Sequence, residues 1–192
     1  IADLNSTLDE PVDLSAANRQ DAGDFPSSES AFRYFDGSGE VRASCARCHS
    51  ATGLVTYLEE GVNISEPVAS NLACTTCHDP STGEFTPRIV ETVEFPSGAQ
   101  LDSGNASSNV CLSCHQGRES GLSVVADSAG VEDDTIIPDQ GFVNVHYFAA
   151  GATLLGAEAQ GAYQYAEGEY AGQLSHVQGA QTCVECHDAH EL

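Results

Sequence analysis

Eight cysteines occur in this chain, and all of them fall into four Cys-x-x-Cys pairs, each followed directly by histidine. The four are Cys45-Ala-Arg-Cys48-His49, Cys74-Thr-Thr-Cys77-His78, Cys111-Leu-Ser-Cys114-His115 and Cys183-Val-Glu-Cys186-His187. This is the attachment signature of c-type haem. Two thiols three positions apart reach the two vinyl groups of one porphyrin as thioethers, and the adjacent histidine meets the iron as proximal ligand. One copy alone would also suit a redox dithiol or half of a zinc site. Structural zinc would need all eight Cys and four of the His gathered into closed sites, and a disulfide framework leaves the repeated histidine unexplained. Four covalent c-type haems are therefore the expected cofactors.

Haem content on this scale constrains the fold. With 192 residues for four haems, each macrocycle has 48 residues around it. Aromatic residues make up only 7%, Trp is absent and Gly reaches 18, so a protein-only core would be thin. The length suits one domain, or at most two small ones. The expected fold is mostly irregular, with short α-helices and a small β-hairpin, a multihaem c-type cytochrome wrapped around a four-haem core.

Charge narrows the partners. Asp and Glu number 29, against six basic residues: Arg19, Arg33, Arg42, Arg47, Arg88 and Arg118. There is no lysine, and the net charge is -23. General nucleic-acid binding needs clustered cations to neutralise phosphates, and attraction to anionic membranes needs the same, so both are excluded. No run of about 18 apolar residues is present, so no membrane span is expected. The absence of Met, even at position 1, reads as a mature, exported chain from which a signal peptide has been removed. Covalent haem attachment of this type takes place outside the cytoplasm, which agrees.

Residues 1–30 are acidic and rich in Ser, Asn and Asp, with Pro11 and Pro26 as breakers. They read as an extended N-terminal arm, either a disordered terminus or a segment that packs on a neighbouring subunit. Residues 31–192 read as a single tetrahaem domain. Ile89, Val93 and Phe95 alternate in part, and Pro96-Ser97-Gly98 follows as a turn. That pattern predicts a strand over 86–95, in a hairpin with the residues around Leu101. The acidic loop from Val131 lacks the regular ligand spacing of a calcium site. Residues 143–160, rich in Ala and Leu, predict a helix weakened by Gly151 and Gly156. Tyr163, Tyr165 and Tyr170 are candidates to pack on porphyrin faces.

Seven histidines are present. His49, His78, His115 and His187 are the proximal candidates. His146, His176 and His190 remain and are read as distal ligands, since neutral imidazole is a good iron ligand. His190 follows His187 by three positions, so the proximal loop holds it on one side of that haem. It is read as serving a neighbouring haem, in this chain or the next. Four haems with two histidines each would need eight, and no Met or Lys can substitute. Exchange of ligands between identical subunits does not change the count. If the sequence is complete, at least one iron lacks a second histidine. It is then open, water-bound, or held by a ligand such as the Ile1 α-amino group, whose pKa near 8 leaves some neutral amine at pH 7.

Several stretches carry a family resemblance. Cys111-Leu-Ser-Cys114-His115 runs into Gln116-Gly117-Arg118. Gly141-Phe-Val-Asn144-Val-His146-Tyr147 is followed by Ala149-Ala-Gly-Ala-Thr-Leu154 and Gly161-Ala-Tyr163-Gln-Tyr165. His176 and Cys183-Val-Glu-Cys186-His187-Asp-Ala-His190 complete the pattern. Over residues 40–192 the chain resembles the tetrahaem extracellular cytochrome nanowires of the OmcE-like type, including their archaeal relatives. The haem motifs are shared by many multihaem cytochromes, and the segment 141–190 is the more specific part. The resemblance implies a homopolymeric filament with a continuous line of haems, generally bis-histidine, one ligand crossing the subunit boundary. It implies distal ligation by His146 and His176, and by His190 within or across that boundary. The seven-histidine count departs from the all-bis-histidine pattern.

Three functions follow as expectations. The first is electron conduction by a homopolymeric filament outside the cell, with no enzymatic activity. The second is a monomeric periplasmic or surface tetrahaem carrier. The third is a reductase acting at an under-ligated haem, against which stands the shortage of cationic side chains to hold an anionic substrate. A polymer of subunits this acidic repels itself, so screening cations are expected partners.

Overall fold

The computed structural model describes residues 40–67, 72–84, 86–132, 134–174, 182–187 and 189–190. The N-terminal arm and His176 lie outside them. The chain divides into two compact units: Ile1–Pro87 together with Ala189–Leu192, and Arg88–Asp188.

In the first unit, β1 (Glu40–Val41) and β2 (Glu66–Pro67) pair antiparallel. Between them run α1 (Ala43–His49) and α2 (Gly53–Glu60). The two helices meet tightly because Gly53 has no side chain where the Ala46 backbone passes. The Ser50 hydroxyl closes the corner: it donates to the Ala46 carbonyl at 2.8 Å and accepts from the Gly53 amide at 2.9 Å. Val41, Ala46 and Leu54 are the buried apolar residues here, and the Arg47 guanidinium lies 4.2 Å from the Tyr57 ring centre. α3 (Cys74–Cys77) is a single turn, tied back by the Thr76 hydroxyl, which donates to the Ala51 carbonyl at 2.9 Å. β3 (His78–Asp79) then pairs antiparallel with β4 (Thr86–Pro87).

The second unit is built on a hairpin and three helices. β5 (Val93–Glu94) and β6 (Gln100–Leu101) pair antiparallel around the Pro96-Ser97-Gly98 turn, whose Phe95 amide bonds the Ala99 carbonyl at 2.9 Å. The helices are α4 (Ala106–His115), α5 (Gly121–Asp127) and α6 (Ala150–Ala159). Val90, Val93, Phe95, Val110, Leu112, Ala152, Leu155 and Ala159 form the buried apolar set. Asn109, in the middle of α4, is fully buried and joins α4 to the hairpin. Its Nδ2 donates to the Val90 and Glu91 carbonyls at 2.8 and 2.9 Å and to Asp102 Oδ1 at 2.8 Å. Its Oδ1 accepts from the Ser103 amide and hydroxyl at 2.9 and 2.8 Å. The same amide, with the Gly104 amide, holds the exposed Asp102 carboxyl below its ordinary 3.8.

The hairpin expected near Leu101 is present, and the overall texture of short helices, small hairpins and irregular chain agrees with the expected fold class. Two boundaries differ. The strand expected over 86–95 is two separate pieces, because Thr86–Pro87 pairs with His78–Asp79 and only Val93–Glu94 joins the hairpin. Ile89, expected to alternate with Val93 and Phe95 along that strand, is 71% exposed, whereas those two are buried. The helix expected over 143–160 is confined to 150–159. Upstream of it the Asn144 side chain caps the His146 amide at 2.9 Å, and His146 and Phe148 adopt φ of 82° and 53°, which a helix does not permit. α6 itself breaks at Gly156 (φ 51°), freeing the Ala157 amide to bond the Ala171 carbonyl at 2.8 Å. Among the described residues no helix is long and apolar enough to cross a membrane.

Candidate functional site

All four Cys-x-x-Cys pairs begin or lie within a helical turn: α1, α3, α4 and the 3₁₀ turn Cys183–Glu185. A turn places residues three apart on one face, so each pair presents two sulfurs to the same side. None of the eight cysteines is joined in a disulfide. Cys74, Cys77 and Cys186 are exposed and the other five half-buried, so every pair is open to a group approaching from outside.

The third and fourth motifs come together in the second unit. The Cys183 amide donates to the Ser108 hydroxyl at 3.1 Å, which docks the 3₁₀ turn on α4. A hydrogen bond with the Cys111 thiol pulls the Cys183 thiol down to about 6, helped by Ser108 and the His187 charge and opposed by burial. Thiolate is the reactive form of cysteine, so this sulfur is activated by its neighbours.

The proximal candidates follow their cysteines as expected. His49 and His115 end α1 and α4, His78 starts β3, and His187 follows the 3₁₀ turn, its amide bonded to the Cys183 carbonyl at 2.9 Å. His115 is the best defined. Its Nδ1 lies 2.8 Å from the Phe148 carbonyl oxygen. A carbonyl only accepts, so Nδ1 carries the proton and Nε2 keeps its lone pair. The bond fixes the ring direction of His115 and the tautomer of its neutral form, which leaves Nε2 able to ligate a metal. The Arg118 amide donates to the Val145 carbonyl at 2.9 Å, which anchors the chain two residues ahead of Tyr147. Gly117 makes that approach possible: its φ is +90°, and a Cβ there would stand 3.0 Å from the Val145 oxygen.

The other candidates are placed as follows. His146 is half-buried between Val145 and Tyr147, its ring 5.6 Å from that of Tyr147. His190 is exposed and its ring centre lies 5.9 Å from that of His78. Tyr163 and Tyr165 meet edge to face at 4.9 Å, and the Tyr170 hydroxyl accepts from the Tyr165 amide at 2.8 Å.

These residues suit covalent haem. Paired sulfurs face one way, an imidazole is held in the ligating tautomer, and apolar surface stands uncovered nearby. Ile136, Phe142, Tyr147 and Phe148 are 77–88% exposed, the last three within four residues of His146 in sequence. Sequence reasoning had missed Asn109 and the Phe148 carbonyl. An Asn directly before the apolar Val110 and Leu112 was the available signal for Asn109; a backbone acceptor leaves none.

No protein-family model matches the chain, and no solved structure matches it significantly. Among curated proteins it is similar to the C-type polyheme cytochrome OmcB of Geobacter sulfurreducens, 29% identical over 175 residues. That match covers 73% of this chain and 22% of the relative. It is also similar to the C-type polyheme cytochrome OmcC of the same species, 28% identical over 165 residues, covering 68% and 20%. The chain thus spans about a fifth of the length of the curated relatives it matches. The similarity is thus to polyhaem c-type cytochromes, and the four attachment motifs of this chain agree with it.

Proposed function

We propose that the chain carries four covalent c-type haems and conducts electrons as the subunit of a homopolymeric filament outside the cell. The observation that carries the four-haem reading is the helical turn at each of the four motifs, which turns both sulfurs to one side ahead of a histidine. Cys45 and Cys48, Cys74 and Cys77, Cys111 and Cys114, and Cys183 and Cys186 would each hold one porphyrin. His49, His78, His115 and His187 would be the proximal ligands, and His146, His176 and His190 distal ones.

Haem iron supplies one-electron redox chemistry when bound. The residues of the chain set how well it does so. Where two imidazoles would hold one iron, that iron would be closed to substrates; with seven histidines for four haems, at least one iron would lack a second imidazole if the sequence is complete. The Nδ1–H bond of His115 to Phe148 raises the basicity of the ligating nitrogen and favours ferric iron. The net charge of -23 acts in the same direction, so low potentials are expected.

The filament reading rests on the resemblance over 141–190. A second reading, a tetrahaem carrier that does not polymerise, is favoured by the match to only a fifth of larger polyhaem cytochromes. Cryo-electron microscopy of the exported protein, across a range of salt concentrations, separates them. Filaments with a continuous density line are expected, loosening as screening cations are removed. Dispersed particles at every salt concentration would leave the carrier. A high-spin signal with rapid carbon monoxide binding would instead point to a reductase site.

A further inference from the structure

We infer that Cys111 and Cys183 join in a disulfide before haem reaches the chain, so that the third and fourth motifs are closed together and opened together by reduction. The sequence pairs each of these cysteines with the one three positions on, and the fold gives each a second partner. The Cys183 amide donates at 3.1 Å to the hydroxyl of Ser108, which lies 75 positions earlier and is fully buried in α4. Ser108 and Cys111 stand one turn apart on the same face of that helix. The 3₁₀ turn docked at Ser108 therefore lays its first cysteine beside Cys111, and the two thiols are hydrogen-bonded. Both cysteines are half-buried, and both belong to the unit Arg88–Asp188. Thiols in that contact need only a short approach to reach an S–S bond of about 2 Å.

The step needs an oxidant, and a small disulfide such as oxidised glutathione suffices. The thiolate of one cysteine attacks a sulfur of the oxidant, forms a mixed disulfide and expels one thiolate. The second protein thiolate attacks that mixed disulfide and expels the other. Two protein thiols are oxidised by two electrons, one small disulfide is reduced to two thiols, and two protons pass from the first pair to the second. The consequence for cofactor loading rests on the four-haem reading above. Thioether formation adds a free S–H across a vinyl group, so a sulfur held in a disulfide cannot join. One cross-link takes a sulfur from each of two motifs and leaves Cys114 and Cys186 without their partners.

The test exposes the full chain, prepared without haem and fully reduced, to oxidised glutathione. Free thiols are then alkylated and disulfides mapped by peptide mass spectrometry. The Cys111–Cys183 link is expected as a main product in native buffer and is expected to be lost in concentrated urea, where the long span between the two must close without the fold. Ser108→Ala removes the hydroxyl that docks the turn and is expected to slow the link about 3- to 10-fold, with pairing inside the first and second motifs unchanged. A chain with Cys114→Ser and Cys186→Ser, in which neither motif can close on itself, is expected to give the same link. Pairing only within motifs in the parent chain, or no link in that double variant, would overturn the proposal. Haem loading of the cross-linked chain is expected to stop at two haems by intact mass and to reach four after a reductant is added. Four haems without reductant would overturn the gate. Failure of the haem reading looks different: the disulfide would form, and no haem would attach with or without reductant.

Discussion

The second and third haem motifs differ in how much polypeptide holds them. The third sits at the end of a ten-residue helix whose Asn109 is buried in five hydrogen bonds, and its histidine is oriented by the Phe148 carbonyl. The second is a four-residue turn with both cysteines exposed, secured chiefly by Thr76 and a two-residue strand pair. A helix of one turn has no stability of its own, because nucleation costs more than one hydrogen bond returns. The third motif is held by more of its own polypeptide; under the proposed haem reading, the second would depend more on covalent attachment and axial ligation for its order.

The sharpest way to break this comparison is to remove each attachment in turn. With Cys74→Ser and Cys77→Ser, amide hydrogen exchange is expected to lose protection throughout α3. With Cys111→Ser and Cys114→Ser, α4 is expected to stay protected about 10- to 100-fold above α3. Equal loss in both would mean that haem, not polypeptide, orders both sites. Next in size is Asn109→Leu. It leaves the Val90 and Glu91 carbonyls and the Ser103 amide without their partner, and about 2–4 kcal/mol of stability is expected to vanish from the Arg88–Asp188 unit. Denaturant unfolding and exchange at α1 and α2 check that the other unit is unaffected.

The smallest effect is acid sensitivity. The Asp102 carboxyl is held below 3.8 by the Asn109 amide, so the folded state favours its ionised form. Its contribution is present in full above about pH 4 and is lost as pH falls through the lowered folded value. An Asp102→Asn chain should therefore lose less stability than the parent between pH 4 and pH 2 in acid titration followed by exchange at β5 and β6. Identical acid profiles would remove Asp102 from the account.

Legibility varied along the chain for reasons that can be named. The Cys-x-x-Cys-His motifs and the Pro96-Ser97-Gly98 turn are local, so residue type and spacing alone announce them. Residues 143–149 fall in the helix expected from composition, but Asn144 and the left-handed His146 and Phe148 turn them into a loop. That loop, not a helix, delivers the carbonyl that orients His115. The pairing of Thr86–Pro87 with His78–Asp79 was equally hidden, since a two-residue strand has no periodicity to read.

What the amino-acid order determined by itself is the chemistry: which sulfurs are paired, which histidine follows each pair, and an acidic surface without lysine. Those properties are set by covalent neighbours within one turn of chain. Only tertiary structure decided which imidazole has its proton on Nδ1, that Cys111 and Cys183 lie side by side, and that His190 stands across from His78. Each of these joins residues far apart in sequence. Such contacts come from packing, and spacing along the chain carries no trace of them.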